Sequence, residues 1–149
     1  MIAISRRPIG RIANTVSFAS TLYLCPVLDV LVAEVPERWR SEIRLGLQEA
    51  LVNAVKHGNK LDPGKLIRVN FSVVERFYWW VITNQGQGFT PPAANLASLD
   101  DYLPCCEQEC GRGLFILYQI FDEVQWNDDG TQLTLGKQLH DRFRFPLIS

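Results

Sequence analysis

Glu49 and Asn53 stand four residues apart in the stretch Gln48-Glu49-Ala50-Leu51-Val52-Asn53-Ala54-Val55-Lys56-His57-Gly58-Asn59. Four residues is just over one helical turn, so the two side chains share a face of an otherwise apolar helix. A carboxylate beside a carboxamide offers two kinds of chemistry: a general base, and an oxygen donor for a hard cation such as Mg²⁺. Burying such a pair without a ligand is costly, and that suggests a nucleotide site. Taken alone, the segment reads more simply as a solvated face carrying two polar residues.

Two glycine clusters follow. In Ile82-Thr83-Asn84-Gln85-Gly86-Gln87-Gly88-Phe89 a strand-like run is broken by paired glycines, which admit positive φ and close approach of a ligand to the backbone. In Cys110-Gly111-Arg112-Gly113-Leu114-Phe115-Ile116-Leu117 the glycines open an apolar helical stretch, whose free N–H groups and positive dipole end suit a phosphate. Either cluster by itself is as well explained by an ordinary turn or a flexible helix entry.

The order of the three is the specific signal: a helix with Glu-x-x-x-Asn, a strand running into Gly-x-Gly, then Gly-x-Gly-Leu opening a helix. It resembles the ATP-binding fold shared by gyrase, the heat-shock chaperones, histidine kinases and mismatch-repair proteins. Within that group the chain is most similar to the bacterial anti-sigma-factor serine/threonine kinases. The likeness rests on the Glu-Ala-Leu-x-Asn-Ala-x-x-His-Gly-Asn wording of residues 49 to 59, on the small single domain, and on the ending Phe121-Asp122-Glu123-Val124 and Gly130-Thr131-Gln132-Leu133-Thr134-Leu135. It covers roughly residues 12 to 140.

The resemblance implies a role for each candidate. Asn53 would coordinate Mg²⁺ bridging the phosphates of ATP, and Glu49 would accept the proton of the attacking hydroxyl. Gly86 and Gly88 would let the backbone pass the base and ribose. Gly111, Arg112 and Gly113 would meet the phosphates, and Thr134 would contact adenine. His57 and Asn59 read instead as residues shaping the helix end around Gly58. One position departs from the pattern: where the family has Asp to receive the adenine amino group, this chain has Asn84. The implied partners are an anti-anti-sigma protein phosphorylated on serine and a sigma factor held inactive. Asn84 keeps open a competing class, a module with weakened nucleotide binding that sequesters a partner without phosphorylating it.

The elements needed to position these residues follow from periodicity. Residues 12 to 18 alternate as an edge strand. The apolar stretch Leu22 to Val35 is helical and either kinks or begins at Pro26, and a start there is favoured. Glu37 to Lys56 is a long amphipathic helix with Ile43, Leu47, Ala50, Leu51 and Ala54 on its apolar side. After the Asp62-Pro63-Gly64 turn come two hairpin strands, 66 to 74 and 76 to 83. The second is apolar on both faces, so helices cover one face while a homodimer contact or the N-terminal arm covers the other. Residues 90 to 110 form a long loop where the resembling family has its ATP lid. A helix over 113 to 121 and a hairpin of 123 to 127 with 131 to 139, turned at Asp128-Asp129-Gly130, complete the chain. The expected fold is an α/β sandwich: a mixed, mostly antiparallel sheet with helices on one face.

Composition sets the bounds. With 149 residues, 47% hydrophobic and 21% charged, one domain can bury a core without disulfides or metals. A net charge of −1 with scattered Lys and Arg provides no basic field for nucleic acid. No signal peptide or membrane span is evident, so a cytoplasmic location is expected. Cys105, Cys106 and Cys110 crowd together without a zinc spacing, and with Cys25 they read as reduced structural thiols.

Overall fold

The computed structural model describes residues 2–9, 11–86 and 109–139. Its core is a six-stranded sheet in the order β1-β2-β3-β4-β6-β5, antiparallel at every described pairing. The strands are β1 (Ile2–Ile9), β2 (Arg11–Ala19), β3 (Leu66–Val74), β4 (Phe77–Asn84), β5 (Glu123–Trp126) and β6 (Gln132–Gln138). Between β2 and β3 run the helices α1 (Cys25–Leu31) and α2 (Glu37–Asn53), while α3 (Glu109–Ile120) precedes β5.

Alternation along the strands decides which face meets the helices. Val16 and Phe18 of β2, Ile67, Val69 and Phe71 of β3, Trp80 and Ile82 of β4, and Leu133 and Leu135 of β6 are all buried. They join one core cluster with Leu28 and Leu31 of α1, Ile43, Leu47 and Leu51 of α2, and Leu117 and Ile120 of α3. The stripe expected on α2 is therefore the buried one, Ala50 and Ala54 included. Pro26 falls in the first turn of α1, where its missing N–H costs nothing.

Three expectations are corrected. Residues 12 to 18 are not an edge strand, because β1 pairs outside β2 with Ile2 opposite Phe18 and Ile9 opposite Arg11. The N-terminal arm therefore extends the sheet and does not lie over the aromatics of β4. On that outer face Phe77 and Trp79 stack on each other, ring centroids 4.6 Å apart, above Gly136, where an added Cβ would stand 2.5 Å from the Trp79 ring.

The second correction is the end of α2. The α-helix stops at Asn53 and continues as a π-helical turn over Ala54–Gly58, closed by Asn59 N–H donating to Ala54 C=O at 2.8 Å. Third, α3 begins four residues before the expected Gly113. The expected 90–110 loop, apart from Glu109 and Cys110, lies outside the described residues, as do Gly88, Cys105, Cys106 and His140.

Candidate active site

Glu49 and Asn53 face α3. Leu47, Ala50 and Leu51 commit one side of α2 to the core, and the helical period then turns residues 49 and 53 towards the neighbouring helix. The approach is close because Gly113 has no side chain. A Cβ there would stand 2.9 Å from Glu49 Oε2 and 3.9 Å from Asn53 Nδ2. Gly46 performs the same service one turn earlier, where a Cβ would stand 2.6 Å from the Phe121 ring. Glu49 is half-buried and Asn53 only 8% exposed.

Among the described residues Asn53 Nδ2 is buried with no hydrogen-bond partner. A buried amide nitrogen without an acceptor is expensive, and exchanging the two ends of the carboxamide would turn its oxygen into the same position. That orphaned group, on the wall of a cleft, fits an oxygen ligand for Mg²⁺. Among the described residues no three His, Cys, Asp or Glu side chains gather as an alternative metal site.

The cleft is lined by Ala50, Asn53 and Ala54 from the helix, Ile82 and Asn84 from β4, Trp126 from β5, and Gly130, Thr131 and Leu133 at the start of β6. Its walls mix apolar side chains with those of Asn53, Asn84 and Thr131, and the space they enclose is about 10 Å³, room for a single water. Asn84, 8% exposed, accepts a hydrogen bond from Gly86 N–H at 3.1 Å, and its backbone N–H donates to Thr131 C=O at 2.9 Å. The Thr131 hydroxyl donates to Asp129 Oδ1 at 2.6 Å and accepts from Asn127 Nδ2 at 3.2 Å. The bond from the Thr131 side chain, with help from its backbone N–H, holds the Asp129 carboxyl below its usual range.

Asn59 braces this end of the cleft. It is fully buried; Nδ2 donates to Ser20 Oγ at 2.8 Å and to Leu66 C=O at 3.0 Å, while Oδ1 accepts from Gln85 N–H at 2.8 Å. Gly86 rests directly on the Gly58 carbonyl, where any Cβ would overlap the backbone. Asn59 thus works in structure, as expected, and the π-helical turn is what carries it under the sheet.

The structure brings Glu49, Asn53 and Gly113 together and sets Asn84 beside Asn53 along the cleft, while Gly86 lies against Gly58 and Asn59. Gly111 and Arg112 fall in the first turn of α3, and the Arg112 side chain is not among the described ones. Gly113 lets Glu49 and Asn53 approach through its missing side chain.

Thr134 is a correction. Leu133 and Leu135 point into the core, so Thr134 points to the opposite face, between Val81 and Gln125. The threonine that reaches the cleft is Thr131, two residues before Leu133 on the same face. That alternation was readable in the chain, whereas Trp126 carried no signal of its own.

Among curated proteins, none matches this chain closely enough to lend it a substrate or partner. A family profile does match: residues 24–137, well over half of the chain, correspond to the histidine kinase-like ATPase domain. The match spans α1 through β6, and so every element that lines the cleft. With fold, cleft and sequence match in agreement, the chain belongs to the histidine kinase-like ATPase domain family, whose fold binds ATP.

Proposed function

We propose that this protein is an anti-sigma regulatory kinase that transfers the γ-phosphoryl group of ATP to a serine of an anti-anti-sigma partner and separately holds a sigma factor inactive. The observation that supports it is the packing of Gly113 against Glu49 and Asn53, which sets a carboxylate and an orphaned carboxamide side by side, the carboxamide on the wall of the cleft.

In this reading the walls part to admit the base between Ile82, Leu133 and Trp126, its polar edge towards Asn84. Asn53 is the residue that would hold Mg²⁺, which when bound neutralises phosphate charge. Glu49 takes the hydroxyl proton at its carboxylate as the serine oxygen bonds to phosphorus and the bond to the departing ADP oxygen breaks. Gly113 keeps that carboxylate free to reach the nucleophile.

The test is incubation of the full chain with Mg-ATP and serine-bearing candidate partners. Glu49→Gln should keep nucleotide binding and lose about a hundredfold or more in transfer, as removal of a general base predicts. Asn53→Ala should weaken Mg-ATP binding itself. Unchanged turnover in Glu49→Gln would remove the catalytic assignment.

A second reading, a partner-binding module without transfer, is favoured by one residue. Asn84 offers adenine a neutral hydrogen bond of about 0.5–1.5 kcal/mol in place of a charge-assisted one of about 1.5–3 kcal/mol. Tight partner capture without any phosphoserine formed would establish it.

A further inference from the structure

We propose that the base end of this cleft does not discriminate between an amino and an oxo group at the purine 6-position, so that ATP and ITP bind with similar affinity. The proposal rests on the nucleotide reading above and concerns only what Asn84 does within it.

Asn84 is buried at 8% exposure, and it lines the cleft with Ile82, Thr131 and Leu133. Its carboxamide carries two acceptor lone pairs and two donor hydrogens. Among the described residues one of these is occupied, by the Gly86 N–H on Oδ1 at 3.1 Å, and that bond fixes which end of the amide is oxygen. Backbone holds the group in place on its other side: a Cβ on Gly58 would stand 2.4 Å from Asn84 Nδ2. The result is a positioned group whose remaining acceptor lone pair and two donor hydrogens are not taken up among the described residues.

Adenine presents a donor at its 6-amino group and an acceptor at N1. Hypoxanthine presents the reverse, a 6-oxo acceptor and an N1–H donor. A carboxamide satisfies either pattern, with the base shifting slightly between them. Thr131 does not break the tie. Its hydroxyl hydrogen is committed to Asp129 and one of its lone pairs to Asn127 Nδ2, so the hydroxyl is taken up within the turn and the choice falls to Asn84. A carboxylate at position 84 behaves differently. It is acceptor-only when ionised, and a 6-oxo oxygen placed against it has no hydrogen between the two atoms.

Calorimetric titration of the full chain with non-hydrolysable analogues of ATP and ITP tests this, in wild type and Asn84→Asp, with thermal unfolding verifying that both are folded. Wild type should bind the two within about threefold of each other. Asn84→Asp should bind ATP several-fold more tightly than wild type does and prefer it to ITP by about tenfold or more. A wild-type preference for ATP of tenfold or greater overturns the proposal while leaving the ATP site in place. Equal affinities in Asn84→Asp would also overturn it, since residue 84 would not be the discriminator. If neither analogue binds either protein, the nucleotide reading itself fails, and this proposal with it.

Discussion

A methyl group on Gly113 would meet the free end of Glu49, 2.9 Å from Oε2, and not any backbone atom. The clash is therefore cheap to relieve, because a flexible carboxylate only has to swing aside. Alanine is also the better residue inside a helix, by about 0.5–1 kcal/mol. Gly113→Ala should consequently leave the unfolding midpoint unchanged or slightly raised while lowering phosphoryl transfer, because the displaced carboxylate is the proposed base. Thermal unfolding and single-turnover transfer measured on one preparation separate the two effects. A parallel loss of both would mean that Gly113 is there for packing alone. Gly86 differs in kind, since its neighbour is the Gly58 carbonyl, which cannot rotate away.

At the scale of elements, the site depends on how the end of α2 is joined to the ends of β2, β3 and β4. The π-helical turn after Asn53 widens the helix by one residue per turn, a feature that often marks functional positions. It delivers Asn59 into a gap that offers Ser20 Oγ, the Leu66 carbonyl and the Gln85 N–H together. Ser20 Oγ in turn donates to the Lys65 carbonyl at 2.9 Å. Asn59→Ala would leave the part-buried Gln85 N–H and Leu66 C=O without this partner, at about 1–3 kcal/mol for an unsatisfied group. Urea unfolding should show a loss within that range. Nucleotide affinity should fall as well, because Gln85 and Gly86 set the position of Asn84. A variant with the stability loss and unaltered affinity would show that the brace and the cleft are independent.

For the molecule as a whole, Trp80 is the residue on which the layers meet. It is fully buried, lies 5.5 Å from the Phe71 ring and 5.8 Å edge-on from Phe121, and donates its indole N–H to Leu31 C=O at 3.2 Å. Sheet, α1 and the residue following α3 are thereby joined at one side chain. Trp80→Phe removes the donor and part of the volume, so a loss of about 1–3 kcal/mol is expected. Since the described core is one contiguous cluster, far-UV and near-UV circular dichroism should report the same lowered transition. Separate transitions would show that the helices leave the sheet before it unfolds. Among the described residues no helix is long and apolar enough to cross a membrane.

What the chain determines by itself is whatever depends on near neighbours. The four-residue spacing of Glu49 and Asn53, the hairpin of β3 and β4, the turn at Asp128-Asp129-Gly130 and the buried stripe of α2 follow from periods of 3.6 and 2. The same period of 2, counted from Leu133, places Thr131 in the cleft and Thr134 outside it. Tertiary structure decided the rest. That β1 lies outside β2, that Gly113 meets Glu49, and that Asn59 reaches Ser20 across 39 residues of chain are contacts between distant segments. Such contacts carry no local periodicity, because they are set by which surfaces pack together and by which buried polar groups must then find partners. The π-helical turn belongs with them. Helix propensity alone would have continued α2 to Lys56, and bringing Asn59 to its three side-chain bonds required the wider turn.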